Sequence, residues 1–272
     1  MIKKQYLKEL VISGPCARNL PTNKKADVLK IQSWLNLFAQ TKPSAGTSTG
    51  IDGDFGSATE LAVRHFQKAK GLTESGKVDS AVFSALSMPL NNAFNAAGSA
   101  AGLRARVVEI AHKHLDQYAY ELIIDQQANS GPWVKSYMDG NEGTDWYWCM
   151  GFAQTIIDQA ASQFQKDFRT LMPLTYSCDV VAMKGIEKNL LINNKAFIAN
   201  PTLVKPGDLF LLKKSTNDWY HTGLITAVNG DTIETIEGNT NNDGSSNGNG
   251  VYKRTRNYKK QVIDVFSITP LV

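Results

Sequence analysis

Cys149 stands in DWYWCMGFAQTIIDQ, with three aromatic residues before it and an amphipathic run after it. A thiol becomes a nucleophile when its pKa is lowered, and a helix N-terminus lowers it through unpaired N–H groups and the positive end of the dipole. The stretch puts Cys149 at a helix start. Two readings stand for it alone: a packed structural thiol, because free cysteine is among the most buried residue types, or a nucleophile. Nucleophilic chemistry further needs a base and a group that orients the base. Of the four histidines, His65 lies on a polar or intermediate helix face. His112 and His114 are two apart on a helix, so they do not share a face and make a poor metal pair. His221 differs, because it opens the strand-like run HTGLITAV. The following run, TIETIEGN, places Glu237 and Asn239 on one face by alternation. Asn229-Gly230-Asp231 between the two runs reads as a hairpin turn. Counting outward from it brings Glu237 or Asn239 beside His221.

The elements that must position these residues are helices first and strands afterwards. LRARVVEIAHKHLDQ, the run after Cys149 and CDVVAMKGIEKNL read as helices, and DLFLL, HTGLITAV, DTIETIEG and VIDVFSI as strands. That order argues for an α+β domain with an antiparallel sheet over residues 103–272. Upstream, residues 26–38 put Val28, Ile31, Leu35 and Phe38 on one helical face. Asp52-Gly53 reads as a turn, and Ser57 or Thr59 as the cap of a second helix that Gly71 stops. A short third helix covers Ser80 to Leu86. These make a small three-helix unit over residues 26–88, preceded by an N-terminal extension of residues 1–25. The small, uncharged stretch 89–102, PLNNAFNAAGSAAG, reads as a flexible linker.

Composition narrows the function classes. The chain has 272 residues, 42% hydrophobic, with formal net charge +4 and pI about 8.8. This mild basicity favours an anionic partner, but no Lys/Arg run suits a nucleic-acid arm. There is no CxxC pair, no HExxH and no phosphate-binding glycine loop. NTNNDGSSNGNG lacks the regular acidic positions of a calcium loop and reads as a polar loop. No metal or other cofactor is implied. Three cysteines, Cys16, Cys149 and Cys178, exclude full internal pairing; Cys16 and Cys178 either pair or stay as thiols. No apolar stretch is long enough for a membrane span. MIKKQYLKELVISGPC lacks the unbroken apolar core of a secretory signal. The expectation is therefore synthesis in the cytoplasm, with release by some other route.

The second half of the chain resembles the CHAP family, the cysteine- and histidine-dependent amidohydrolase/peptidase domains. The resemblance rests on WCMGF, KPGDLFLL, HTGLIT and TIEGNTN taken in order, with GVYKRTR after the polar loop and NSGPWVKSYM before the cysteine. It implies a papain-like fold related to the NlpC-type cell-wall peptidases. Cys149 would be the nucleophile, His221 the general base, Glu237 the residue that holds the imidazole, and Asn239 a further polar member. Trp148 preceded by DWY, and Met150, depart from the commoner pattern and bear on the shape of the substrate groove. GIDGDFGSATELAVRHFQKAKGL resembles the three-helix peptidoglycan-binding modules.

Together these imply a peptidoglycan hydrolase that cuts an amide of the stem peptide, as amidase or endopeptidase, while its helical module holds the wall. Trp146 and Trp148 are expected to line the groove, and Asp52, Asp54 and Phe55 to contact the wall. A phage endolysin released through a pore fits, as does an antibacterial effector with its own immunity protein and secretion machinery. The competing expectation is a wall-binding or docking protein without catalysis.

Overall fold

The computed structural model describes residues 1–272. In chain order the elements are α1 (Tyr6–Glu9), α2 (Lys25–Thr41), α3 (Ser57–Ala69), α4 (Ser80–Leu86), α5 (Met88–Asn95) and α6 (Leu103–Asp116), then β1 (Leu122–Ile124), β2 (Gln127–Ser130) and α7 (Pro132–Tyr137). They continue with α8 (Cys149–Gln163), α9 (Cys178–Glu187), β3 (Leu191–Ile192), α10 (Asn194–Ala199), β4 (Leu209–Ser215), β5 (Asp218–Asn229), β6 (Thr232–Thr240), β7 (Gly250–Asn257) and β8 (Ile263–Phe266). The chain divides into two compact units. One comprises Met1–Lys3, Ala93–Ala119 and Trp146–Val272; the other comprises Lys4–Asn92 and Tyr120–Asp145. The expected domain boundaries therefore need correcting on two counts. Residues 120–145 join the helical unit, and the N-terminal extension is built into the folded units.

In the helical unit, α2 buries Val28, Ile31, Trp34 and Leu35, because these recur at helical spacing. The second helix is bounded differently from the sequence expectation. Gly56 is the N-cap of α3 with no side-chain cap, and Thr59 instead turns its hydroxyl to the Asp54 carbonyl. The other end is as expected: Gly71 has φ +66°, its N–H donates to Lys68 O, and the Leu72 N–H donates to Gln67 O. This pair of bonds closes the last turn, and the left-handed residue that makes it possible is a glycine because no Cβ has to fit. Asp79 caps α4 by accepting the Val82 N–H at 2.9 Å. The inserted segment adds the β1–β2 hairpin and α7, whose Trp133 packs edge-on to Trp34 and stacks on Tyr137.

The mixed unit is α+β. Its antiparallel six-stranded sheet has the order β3-β8-β4-β5-β6-β7, and α8 and α9 pack on β5. Almost every residue of α8 is buried, from Cys149 to Ala161, which marks it as a central helix rather than a surface one. The stretch expected to be a flexible linker is fixed. Gln159 donates to the Ala93 and Phe94 carbonyls at 2.9 Å each, and Glu109 accepts from the Ser99 and Ala100 N–H groups at 2.9 Å each. Those two N–H groups, first, hold the Glu109 carboxyl at about 2. Small uncharged residues allow these close backbone contacts as readily as they allow flexibility, so composition alone did not distinguish the two. The Lys-Pro-Gly-Asp run is explained by Asp208, which accepts from the Lys205 and Ile268 N–H groups at 2.9 Å each and pairs with Arg104 at 2.7 Å.

Candidate active site

Cys149 is the first residue of α8, after a Trp148 N-cap that makes no side-chain cap. As the first helical residue, its N–H has no intrahelical acceptor. The thiol is 3% exposed. Around it stand the Cys178 thiol at the start of α9, the His221 imidazole and the Thr222 N–H. The hairpin that carries the histidine turns through Gly230 and Asp231, with Asn229 paired to Thr232. His221 Nε2 meets Glu237 Oε2 at 2.9 Å with both side chains fully buried. The other ring nitrogen, Nδ1, makes no hydrogen bond and is left for the thiol. An open thiol–imidazole contact is common before substrate arrives.

Gly223 explains how Glu237 reaches its partner. A Cβ at Gly223 would lie 2.8 Å from Glu237 Cγ and 2.8 Å from the Ile236 carbonyl. The glycine of HTG therefore opens the lane through which the carboxylate passes. Glu237 is gripped further by Thr235 Oγ1, which donates to Oε1 at 2.5 Å, and by Arg256, which donates through Nε to Oε1 at 2.6 Å and through Nη2 to Oε2 at 2.5 Å.

The electrostatics follow from these contacts. Cys178, then His221, push the Cys149 thiol well below the ordinary cysteine value against the effect of burial. Cys178 is displaced in the opposite sense, first by Cys149 and then by burial, so it stays protonated. Burial by itself would lower His221, but Cys149 and Glu237 raise it to about 9. Burial would raise Glu237, but Arg256 and His221 hold it at about 2. The arrangement is that of a thiolate–imidazolium pair, which can attack a carbonyl and then protonate a leaving group.

The structure brings Cys149, His221 and Glu237 together and gives Asn239 a different position. Asn239, at φ +56°, accepts the Trp148 N–H at 3.2 Å and donates to the Gly248 carbonyl at 2.9 Å and to Asn247 Oδ1 at 3.1 Å. It fastens the start of α8 to the polar loop and makes no bond to the imidazole. Trp148 is fully buried, and its ring would lie 2.9 Å from a Cβ at Gly238. It packs in the core and cannot wall a groove. Trp146 and Tyr147 are exposed, and Trp146 sets its ring edge-on to Tyr176 at 5.9 Å. Phe55 is buried at 3% exposure and is a core residue of the helical unit. Asp52 pins its own turn by accepting from the Asp54 N–H at 2.9 Å and from Gln32 at 2.8 Å, and those two bonds, in that order, lower its pKa. Asp54 lines a polar cleft of about 550 Å³ together with Arg18, Asn19, Lys25 and Ser57. Gln32 escaped sequence reasoning. It donates to Asp52, the Asp54 carbonyl and Thr59, and accepts from the Asp52 and Gly53 N–H groups, so one amide organises the whole loop. A buried glutamine on an otherwise apolar helix face was its only signal.

Residues 24–86 match the family of peptidoglycan-binding domains. The match supports wall binding by the helical module. Comparison of the chain with curated proteins and with solved structures gave no significant match. No helix is long and apolar enough to cross a membrane.

Proposed function

We propose that the protein is a peptidoglycan hydrolase in which a wall-binding module delivers a cysteine amidase or endopeptidase to its substrate. The observation that carries the reading is the buried series Cys149, His221 and Glu237, with the thiol at a helix start and the imidazole fixed by a carboxylate at 2.9 Å. A helix-borne thiol beside a histidine on an antiparallel sheet is also what a papain-like fold requires. The Cys149 thiolate attacks an amide carbonyl of the stem peptide. The oxyanion that forms is stabilised by the Cys149 N–H at the head of α8. His221 then gives its proton to the leaving amine and, as a base, activates the water that releases the acyl-enzyme. Glu237 keeps the ring oriented and stabilises its charged form. Trp146 and Tyr147 precede the nucleophile in sequence and are exposed aromatic residues available to the peptide. The helical module raises the local concentration of substrate around this site. Such an enzyme acts on the wall after lysis-linked release, as an endolysin, or after secretion as an antibacterial effector. The second role calls for a cognate immunity protein.

The test is muropeptide release from purified peptidoglycan, read by mass spectrometry. The wild type is expected to release amide-cleaved fragments, and Cys149→Ala to lose the activity by several orders of magnitude while still sedimenting with the wall. Equal release by both proteins would remove the thiol mechanism. Sedimentation without release by the wild type would make the protein a wall-binding one.

A further inference from the structure

Cys149 as thiolate, His221 as imidazolium and Glu237 as carboxylate would sum to one net negative charge among buried side chains. An uncompensated buried charge is costly. The fourth buried ionic group, Arg256 on β7, supplies the missing positive charge. Its guanidinium is 5% exposed, grips both oxygens of Glu237 at 2.6 and 2.5 Å and lies over the Phe210 ring at 5.0 Å. With Thr235 and His221, it fills all four acceptor positions of the carboxylate. We infer that Arg256 is a positioning residue that makes the buried quartet electrically neutral, and so allows Cys149 and His221 to stand as thiolate and imidazolium near neutral pH.

The inference rests on the thiol chemistry proposed above. It concerns the ionisation of Cys149, which can be read without any wall substrate. The other titratable groups around the thiol do not supply the charge. Cys178 at the head of α9 is a protonated thiol. Asp179 is occupied by the Trp219 N–H at 2.6 Å, and a carboxyl group supplies no positive charge. His114 on α6, which packs against Phe152 of α8, is held neutral by burial at about 4. GVYKRTR by itself reads only as a strand, because nothing local says which of its cations points inward.

The test is the pH dependence of iodoacetamide alkylation at Cys149, resolved from the other two cysteines by peptide mass spectrometry in the full-length protein. Arg256→Met is expected to move the thiolate inflection up by about one pH unit, which is roughly a tenfold loss of rate on its acid side. Arg256→Lys should recover most of the shift. Glu237→Gln, which leaves one excess positive charge, should move the inflection down. The double variant Glu237→Gln/Arg256→Met removes one charge of each sign and should return close to wild type. A structural role alone would not produce this order. An unmoved inflection in Arg256→Met, or a double variant no closer to wild type than the single, overturns the inference. Should Arg256→Met fail to fold, Glu237→Gln and the double variant decide the matter: the double must have the higher inflection. Loss of wall hydrolysis with this order intact would count against the proposed reaction and leave the charge balance standing.

Discussion

At the scale of single residues, the site depends on which of two neighbouring thiols holds a proton. Cys178 stands beside Cys149 and acts as a donor toward the thiolate, which lowers the Cys149 pKa. Cys178→Ala is therefore expected to raise the pH at which Cys149 becomes reactive and to slow alkylation at neutral pH about threefold to tenfold, with little change in the thermal midpoint. The wild-type rate of wall hydrolysis should rise as the thiol ionises, well below the ordinary cysteine value, and fall as His221 loses its proton near pH 9. For stability the two groups oppose each other. A histidine whose folded pKa lies above its unfolded one stabilises the fold fully below about 6.5, and the contribution is lost as pH rises through about 9, whereas the lowered Cys149 thiol adds stability as pH rises toward its unfolded value. A hydrolysis profile still flat at pH 10 would contradict this assignment.

At the scale of elements, one hairpin does most of the positioning, and much of it was legible. Alternation and the Asn229-Gly230-Asp231 turn narrow the partner of His221 to Glu237 or Asn239, because an antiparallel register follows from its turn, and it is Glu237 that meets the imidazole. Asn239 was placed wrongly for an equally local reason. It was assigned to the face of Glu237, but its left-handed φ breaks the alternation that a regular strand would have kept. Trp148 was misread because the aromatic run preceding a helix does not reveal which ring the first turn will draw inward. The hairpin also makes Gly223 indispensable. Gly223→Ala would press a methyl group against Glu237 Cγ and the Ile236 carbonyl. The expected cost is about 1–3 kcal/mol of stability. Because Glu237 is displaced from His221, a fall in hydrolysis should exceed anything explained by unfolding. Thermal denaturation together with the rate per folded molecule separates the two. An alanine variant as active as the wild type would show that the lane is wider than the backbone positions allow.

At the scale of the whole molecule, the sequence suggested two domains joined by a tether, and the chain is organised otherwise. Residues 120–145 have no strong local signal of which unit they join. Their membership is fixed by long-range packing such as Trp133 on Trp34, which periodicity does not encode. A fragment comprising residues 103–272 is therefore expected to misbehave: it carries Trp133, Tyr137 and Met138, all buried in the full chain, without α2 to cover them. Poor solubility relative to the full-length protein, or dye binding by exposed apolar surface, would show this. A monomeric, cooperatively melting fragment would contradict it. The chain passes from one unit to the other four times, after residues 3, 92, 119 and 145. In genetic terms, the unit that contains the wall-binding residues is not a cassette. A single crossover between genes cannot exchange it whole, because its two segments, Lys4–Asn92 and Tyr120–Asp145, are separated by residues of the other unit.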